Sequence, residues 1–256
     1  MKHALRYITR HLAAALTALL PVAAAAGEAF ADPVPFSATY EVRLNNLPFT
    51  ADARQSLTAL GGNRWRLELK VESFILDTTE TSEFRWDGSR CHAIPGHYRY
   101  SRKGIGRNRT LDMQFDTTRN IVAVNDGRKQ LSYAITALTE DKLAHTLGLA
   151  CRIARGARGQ VAVDVAWDRE LRHFDYRVGT REETVVTPSG NWQALRFERQ
   201  RTDSERLTTS WIAAKAGWQA IQMQHTEGDG KLFQLRLLQL QQDAGGKPAP
   251  GGNRAP

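Results

Sequence analysis

The 256-residue chain carries 35 lysines and arginines against 27 acidic residues, a formal net charge of +8, with 41% hydrophobic residues and two cysteines. This composition excludes an intrinsically disordered chain and a disulfide-stapled miniprotein. The basic residues are scattered among acidic ones, so the charge suits anionic envelope surfaces without requiring a charged partner.

At the amino terminus Lys2, Arg6 and Arg10 precede an apolar run from Leu12 to Ala26, and Ala29-Phe30-Ala31 places small residues at both cleavage positions. The pattern predicts a secretory signal peptide over residues 1–31, cut after Ala31, with Ala26 as the alternative. The run is short, alanine-rich and interrupted by Pro21, unlike a membrane span. The expectation is therefore a periplasmic protein with no integral span after processing and no nucleic-acid partner. Cleavage removes three basic residues and one acidic residue, taking the charge from +8 to +6.

Residues 32–242 are predicted to form a single domain. FSATYEVRL, from Phe36, puts Phe36, Ala38, Tyr40, Val42 and Leu44 on one face, and RWRLELKVE repeats the alternation with Trp65, Leu67, Leu69 and Val71. Less regular alternation continues through EFRWDG, GHYRYSR, TLDMQFD, NIVAVND, QVAVDVAW, RHFDYRVG, WQALRFERQ, RLTTSWIA, QAIQMQH and KLFQLRLLQL. Asn45-Asn46, Gly61-Gly62, Asp87-Gly88, Asp126-Gly127, Ser189-Gly190 and the Gly228 to Gly230 stretch punctuate them as turns.

One segment has a different period. In TEDKLAHTLGLACRIARG, Leu143, Leu147, Ala150, Cys151 and Ala154 recur at helical spacing, with Thr139 as candidate N-cap and Gly156 as terminator. This predicts a helix over about residues 139–155 whose stripe must pack on the sheet. The end of the chain, DAGGKPAPGGNRAP (243–256), is predicted to be a disordered tail.

FSATYEVRLNNLPF, HYRYSRKGIGRNRTLDMQFD, the helical segment and TPSGNWQALRFERQ together resemble the bacterial periplasmic family called domain of unknown function 3108. The resemblance implies a mostly β fold: one large antiparallel sheet curled into a half-barrel around a helix on its concave face, similar to outer-membrane lipoprotein carriers. It implies no catalytic residues.

A concave apolar face suits an acyl chain or other amphiphile. Candidates to line it are Trp65, Leu67, Leu69, Phe84 and Trp86 on strands, the run Phe74-Ile75-Leu76 beside a polar loop, and Leu143 and Leu147 on the helix. The alternative is that these side chains fill the core, leaving the protein to dock an envelope partner through its basic hairpin. Arg99, Arg102, Lys103, Arg107 and Arg109 cluster there, around RKGIGRNR. A phosphate loop feeds a helix amino terminus and this run feeds a strand, so a solvated hairpin end is expected, with contact to anionic headgroups, cell-wall polymer or a partner protein as the second use.

No G-x-S-x-G or H-E-x-x-H motif is present, and neither Cys91 with His92 and His97 nor Cys91 with His145 makes a compelling metal or nucleophile set. Carboxylates at Asp77, Glu80, Glu83, Glu182 and Glu183 have no spacing that places two across a substrate. The expectation is a protein without catalytic activity, cofactor or metal, a hydrolase being the least favoured alternative. Cys91 and Cys151, the only cysteines, are expected to pair in an oxidising compartment, tying the helix to the sheet; two separate buried thiols are the alternative.

Overall fold

The computed structural model describes residues 32–44, 50–104, 106, 108–200, 206–228 and 230–242. The predicted leader and tail, the Asn45-Asn46 turn and Arg107 lie outside the described residues. The strands are β1 (Phe36–Leu44), β2 (Thr50–Gly61), β3 (Arg64–Glu72), β4 (Leu76–Asp87), β5 (His92–Gly104), β6 (Arg109–Asp116), β7 (Ile121–Asn125) and β8 (Gln130–Ala134). Then come α1 (His145–Ala154), β9 (Gly159–Ala166), β10 (Leu171–Thr187), β11 (Gly190–Gln200), β12 (Leu207–Ala213), β13 (Gln219–Thr226) and β14 (Leu232–Gln242).

All of these strands join one 14-stranded sheet in the order β8-β7-β6-β5-β4-β3-β2-β1-β14-β13-β12-β11-β10-β9, every ladder antiparallel. Two meanders grow outward from the β1–β14 pair, so the last strand of the first meander and the first strand of the second become the two edges. The connection from β8 to β9, which carries α1, must therefore run from one edge to the other. Strand twist curls the sheet around that connection, and the two edges share no ladder among the described residues. The architecture is the expected half-barrel.

Alternation explains the strands that the sequence reveals. Phe36, Ala38, Tyr40 and Val42 of β1 are buried while the residues between them are not. It also explains the stretches that sequence reading missed. Ala51, Ala53 and Gln55 lead the inward face of β2, and in the first half of β4, ahead of the EFRWDG segment read from the sequence, Glu80 and Ser82 turn inward to meet Tyr98 and Asp141, so these stretches lack an apolar signature.

The helix is shorter than expected. It begins at His145, not Thr139, because the preceding residues are used as edge strand: Glu140 bridges Val165 in parallel, its N–H donating to Asp164 and its carbonyl accepting from Ala166, both at 2.9 Å. Asp141, rather than Thr139, caps the turn that follows, its Oδ1 accepting from the N–H groups of Leu143 and Ala144 at 2.8 Å each. At the other end Gly156, at φ +97°, donates to Ile153 while Ala157 donates to Arg152, the paired arrangement of a Schellman stop.

Seven of the ten α1 residues are buried. Leu147 and Cys151 pack, with Leu143 and Ala144, into the larger core cluster lined by β1 through β8 and the β11–β14 region. Leu149, Ala150 and Ile153 pack on a second cluster formed by Val163, Phe174, Tyr176, Val178 and Leu195 of β9, β10 and β11, together with Ile212 of β12. The helix thus plugs the concavity with two faces; the predicted stripe covers the first and, through Ala150, reaches the second, which Leu149 and Ile153 complete. Cys91, just before β5, is disulfide-bonded to Cys151 with Cα atoms 5.5 Å apart, so the helix is covalently tied to the sheet as expected.

Candidate functional site

The edges at β8 and β9 meet through side chains. Tyr133 of β8 donates its hydroxyl to the Trp167 carbonyl beyond β9, and Arg169 in the β9–β10 turn pairs with Asp126 in the β7–β8 turn at 2.7 Å. Asp168 gathers charges from both sides, accepting from Arg109 of β6 and, at 2.8 Å, from Lys142 Nζ in the turn before α1. Burial alone would raise the Asp168 carboxyl, but Lys142 and Arg109 hold it below the usual carboxylate range. The Lys142 ammonium also sits 4.3 Å from the Trp167 ring centroid, a cation–π contact that helps fix the seam.

Outside this seam lies a cleft of about 740 Å³ lined by Arg102, Arg109, Arg128, Arg169 and Arg172 together with Asp126, Asp168 and Glu170. Four separated parts of the chain build it. The β5–β6 register sets Arg102 on β5 directly across from Arg109 on β6, the β7–β8 turn brings Asp126 and Arg128, and the β9–β10 turn with the start of β10 brings Asp168, Arg169, Glu170 and Arg172. Several of its charges are already paired: Arg109 with Asp168, Arg169 with Asp126, and Arg172 with Glu170.

The basic hairpin read from the sequence is therefore divided by strand alternation. Arg102 and Arg109 face the cleft, whereas Arg99 lies along the other side of β5, 3.4 Å from Glu83, and Lys103 is exposed. Sequence reasoning missed Arg128, Arg169 and Arg172, because only curling of the sheet brings the two ends of the meanders together. The NDGRK and WDRELR turns carried the available signal: each holds acidic and basic residues at a predicted strand end.

A second polar group lies inside, at the start of α1. Glu140 is fully buried, with Oε1 accepting from the Ala93 N–H and Oε2 from Arg152, both at 3.0 Å. Burial pushes its carboxyl up to about 7. His145 donates through Nδ1 to the Asp141 carbonyl, 3.1 Å, which leaves Nε2 of the neutral ring to accept from the Tyr176 hydroxyl, 2.8 Å, and burial lowers its pKa to about 3. Asp141 receives the Ser82 hydroxyl as well as its two backbone donors. These groups bind one another and the backbone, which gives them a structural role in seating the helix.

The residues proposed to line an amphiphile cavity separate into three environments. Leu67, Phe84, Trp86, Leu143 and Leu147 are buried in the main core, and Trp65 and Leu69 pack half-buried against it. Ile75 and Leu76 are half-buried, while Phe74 stands 87% exposed in the β3–β4 loop. Cys91 is consumed by the disulfide, His92 faces the Thr139 carbonyl, and His97 pairs with Asp112. Among the described residues no group of three or more His, Cys, Asp and Glu side chains is placed to hold a metal ion. No described helix is long and apolar enough to cross a membrane.

The family model described as Protein of unknown function (DUF3108) matches residues 39–237, from β1 to β14 and through the helical plug. The chain belongs to this family. No curated protein matches it. Among solved structures, the crystal structure of a beta-barrel-like protein of domain of unknown function DUF1849 from Brucella abortus is similar at a TM-score of 0.54. The alignment covers 83% of this DUF3108 chain and 99% of that one at 11% identity, so the likeness is one of fold.

Proposed function

We propose that this DUF3108 protein is an exported, non-catalytic binding protein of the periplasm that docks an anionic partner against the arginine-lined seam of its half-barrel. The observation that carries this reading is the convergence of five arginines from four chain segments around one cleft, with three carboxylates among them. Such a field steers an anionic partner toward the cleft and orients it there. The predicted leader supports the compartment, and the disulfide between α1 and the β5 start suits an oxidising one.

Retention on immobilised polyglutamate, a polyanion without phosphate, tests the docking reading. Arg169→Glu with Arg172→Glu should lower the salt concentration at which the protein elutes, and elution at the wild-type position would refute it. Export is tested by fusing residues 1–31 to a reporter that is active only outside the cytoplasm; an inactive fusion removes that part of the proposal.

The sequence also suggested an amphiphile beneath the helix. Its best support is the exposed Phe74 at the end of an apolar run. Because α1 already occupies the concavity with seven buried residues, this mode requires the plug to move or the ligand to stay at the rim. Native mass spectrometry of protein purified from its own compartment would favour it by showing a co-purified lipid, and a ligand-free spectrum counts against it.

A further inference from the structure

We infer that the seam cleft binds a phosphate group, held chiefly by Arg102 and Arg109 across the β5–β6 ladder; the inference rests on the docking reading above and names the chemistry of the docked group. Four observations lead to it. Register places the two arginines directly opposite each other on one face of the ladder, an arrangement of like charges that destabilises a sheet unless an anion lies between or beside them. The Arg102 Nε is buried and has no hydrogen-bond acceptor among the described residues, and buried donors ordinarily have partners.

The carboxylates at hand do not supply that acceptor. Asp168 is already shared by Arg109 and Lys142, Asp126 receives Arg169 as well as the backbone N–H groups of Arg128 and Lys129, and Glu170 is paired with Arg172. The fourth observation is the charge balance. Five arginines and three carboxylates line the cleft, an excess of two positive charges.

A carboxylate offers two oxygens and one charge, enough for a single guanidinium fork. A phosphate presents more oxygens and up to two charges, so it can accept from more than one fork at once and match the excess. The cleft volume of about 740 Å³ leaves space for the rest of a phosphate-bearing molecule beyond its anionic group. The same chemistry is offered by a soluble phosphomonoester and by a phospholipid headgroup, and the two sources are separable by experiment.

The protein is titrated calorimetrically with glycerol 3-phosphate and, in parallel, with vesicles of phosphatidic acid in phosphatidylcholine; acetate and pure phosphatidylcholine vesicles are the controls. Binding in the soluble arm identifies a free phosphate ligand, and binding in the vesicle arm alone identifies a lipid headgroup. In either arm Arg102→Gln should weaken binding about tenfold or more, the loss expected for one charge-assisted contact, and Arg169→Gln in the facing turn should weaken it in the same direction. Arg99→Gln, on the opposite face of β5, should leave it unchanged, with circular dichroism showing that each variant is folded. No binding in either arm, equal binding of acetate, or equal weakening by Arg99→Gln overturns the inference. If the seam still governs retention on polyglutamate in those cases, the docking reading survives while the phosphate assignment does not.

Discussion

Replacing Gly148 with alanine sets two physical effects against each other. Gly148 lies inside α1, and alanine is favoured over glycine in a helix interior by about 1 kcal/mol. Propensity alone therefore predicts a more stable protein. The tertiary structure predicts the opposite, because a Cβ at this position would stand 2.2 Å from Oε1 of Glu140 and 2.8 Å from the Cys91 carbonyl oxygen. Glu140 reaches the Ala93 N–H and Arg152 by passing across the helix where a side chain is missing.

Pushing that carboxyl group aside breaks both contacts of a fully buried side chain. Disrupting a buried charge pair is worth about 3 to 5 kcal/mol, so after the propensity gain Gly148→Ala should lose about 2 to 4 kcal/mol. Urea denaturation followed by far-ultraviolet circular dichroism measures this, provided that the denaturant slope is unchanged. The same substitution made in a Glu140→Ala background should cost less, since the atom it meets first is gone, and the double-mutant cycle reads that coupling. A Gly148→Ala protein as stable as the wild type, or more so, would refute the account of the Glu140 passage.

Three further outcomes are expected. Denatured, unreduced protein should show no free thiols, and Cys91→Ser with Cys151→Ser should lower stability by about 4 kcal/mol in the chain-entropy picture, measured by the same denaturation; two titratable thiols would contradict the tie between α1 and β5. His145, neutral in the folded protein down to about pH 3 because it is buried, with Arg199 and Arg152 also disfavouring its protonated form, takes up a proton near pH 6.5 once unfolded. Its contribution is therefore fully present above about pH 6.5 and is lost as pH falls toward 3, with a limiting slope of about 1.4 kcal/mol per pH unit; His145→Gln should flatten the acid limb of a stability–pH profile, and an unchanged limb would remove His145 from the explanation. Asp141→Ala should cost at least the 0.5 to 2 kcal/mol typical of a lost cap, because the Ser82 hydroxyl and two backbone donors lose their acceptor; a melting temperature equal to the wild type would show that the turn before α1 is held by other contacts.

The sequence by itself determined the local structure that depends on nearest neighbours. Alternation in FSATYEVRL and RWRLELKVE specified strands, because a period of two sorts side chains onto two faces wherever one face is buried. The 3.6-residue stripe of Leu147, Ala150, Cys151 and Ala154 specified α1, and Gly156 its end, because only a residue free to adopt positive φ closes a helix that way. The pairing of Cys91 with Cys151 was legible too, from the burial of Cys151 on that stripe and the absence of any other cysteine.

Tertiary structure decided everything that depends on the two edges meeting. Glu140 and Asp141 read as a helix start, yet bridging to β9 keeps the chain extended through Glu140 and delays the helix to His145. Arg102 and Arg109 read as one cluster with Arg99, yet alternation turned them to the cleft while Arg99 faced Glu83. Their neighbours Arg169 and Arg172 are about 60 residues farther along the chain, and no local pattern announces them. The site exists because a sheet built from two meanders, curled by strand twist around a helical plug, brings those distant turns to one seam.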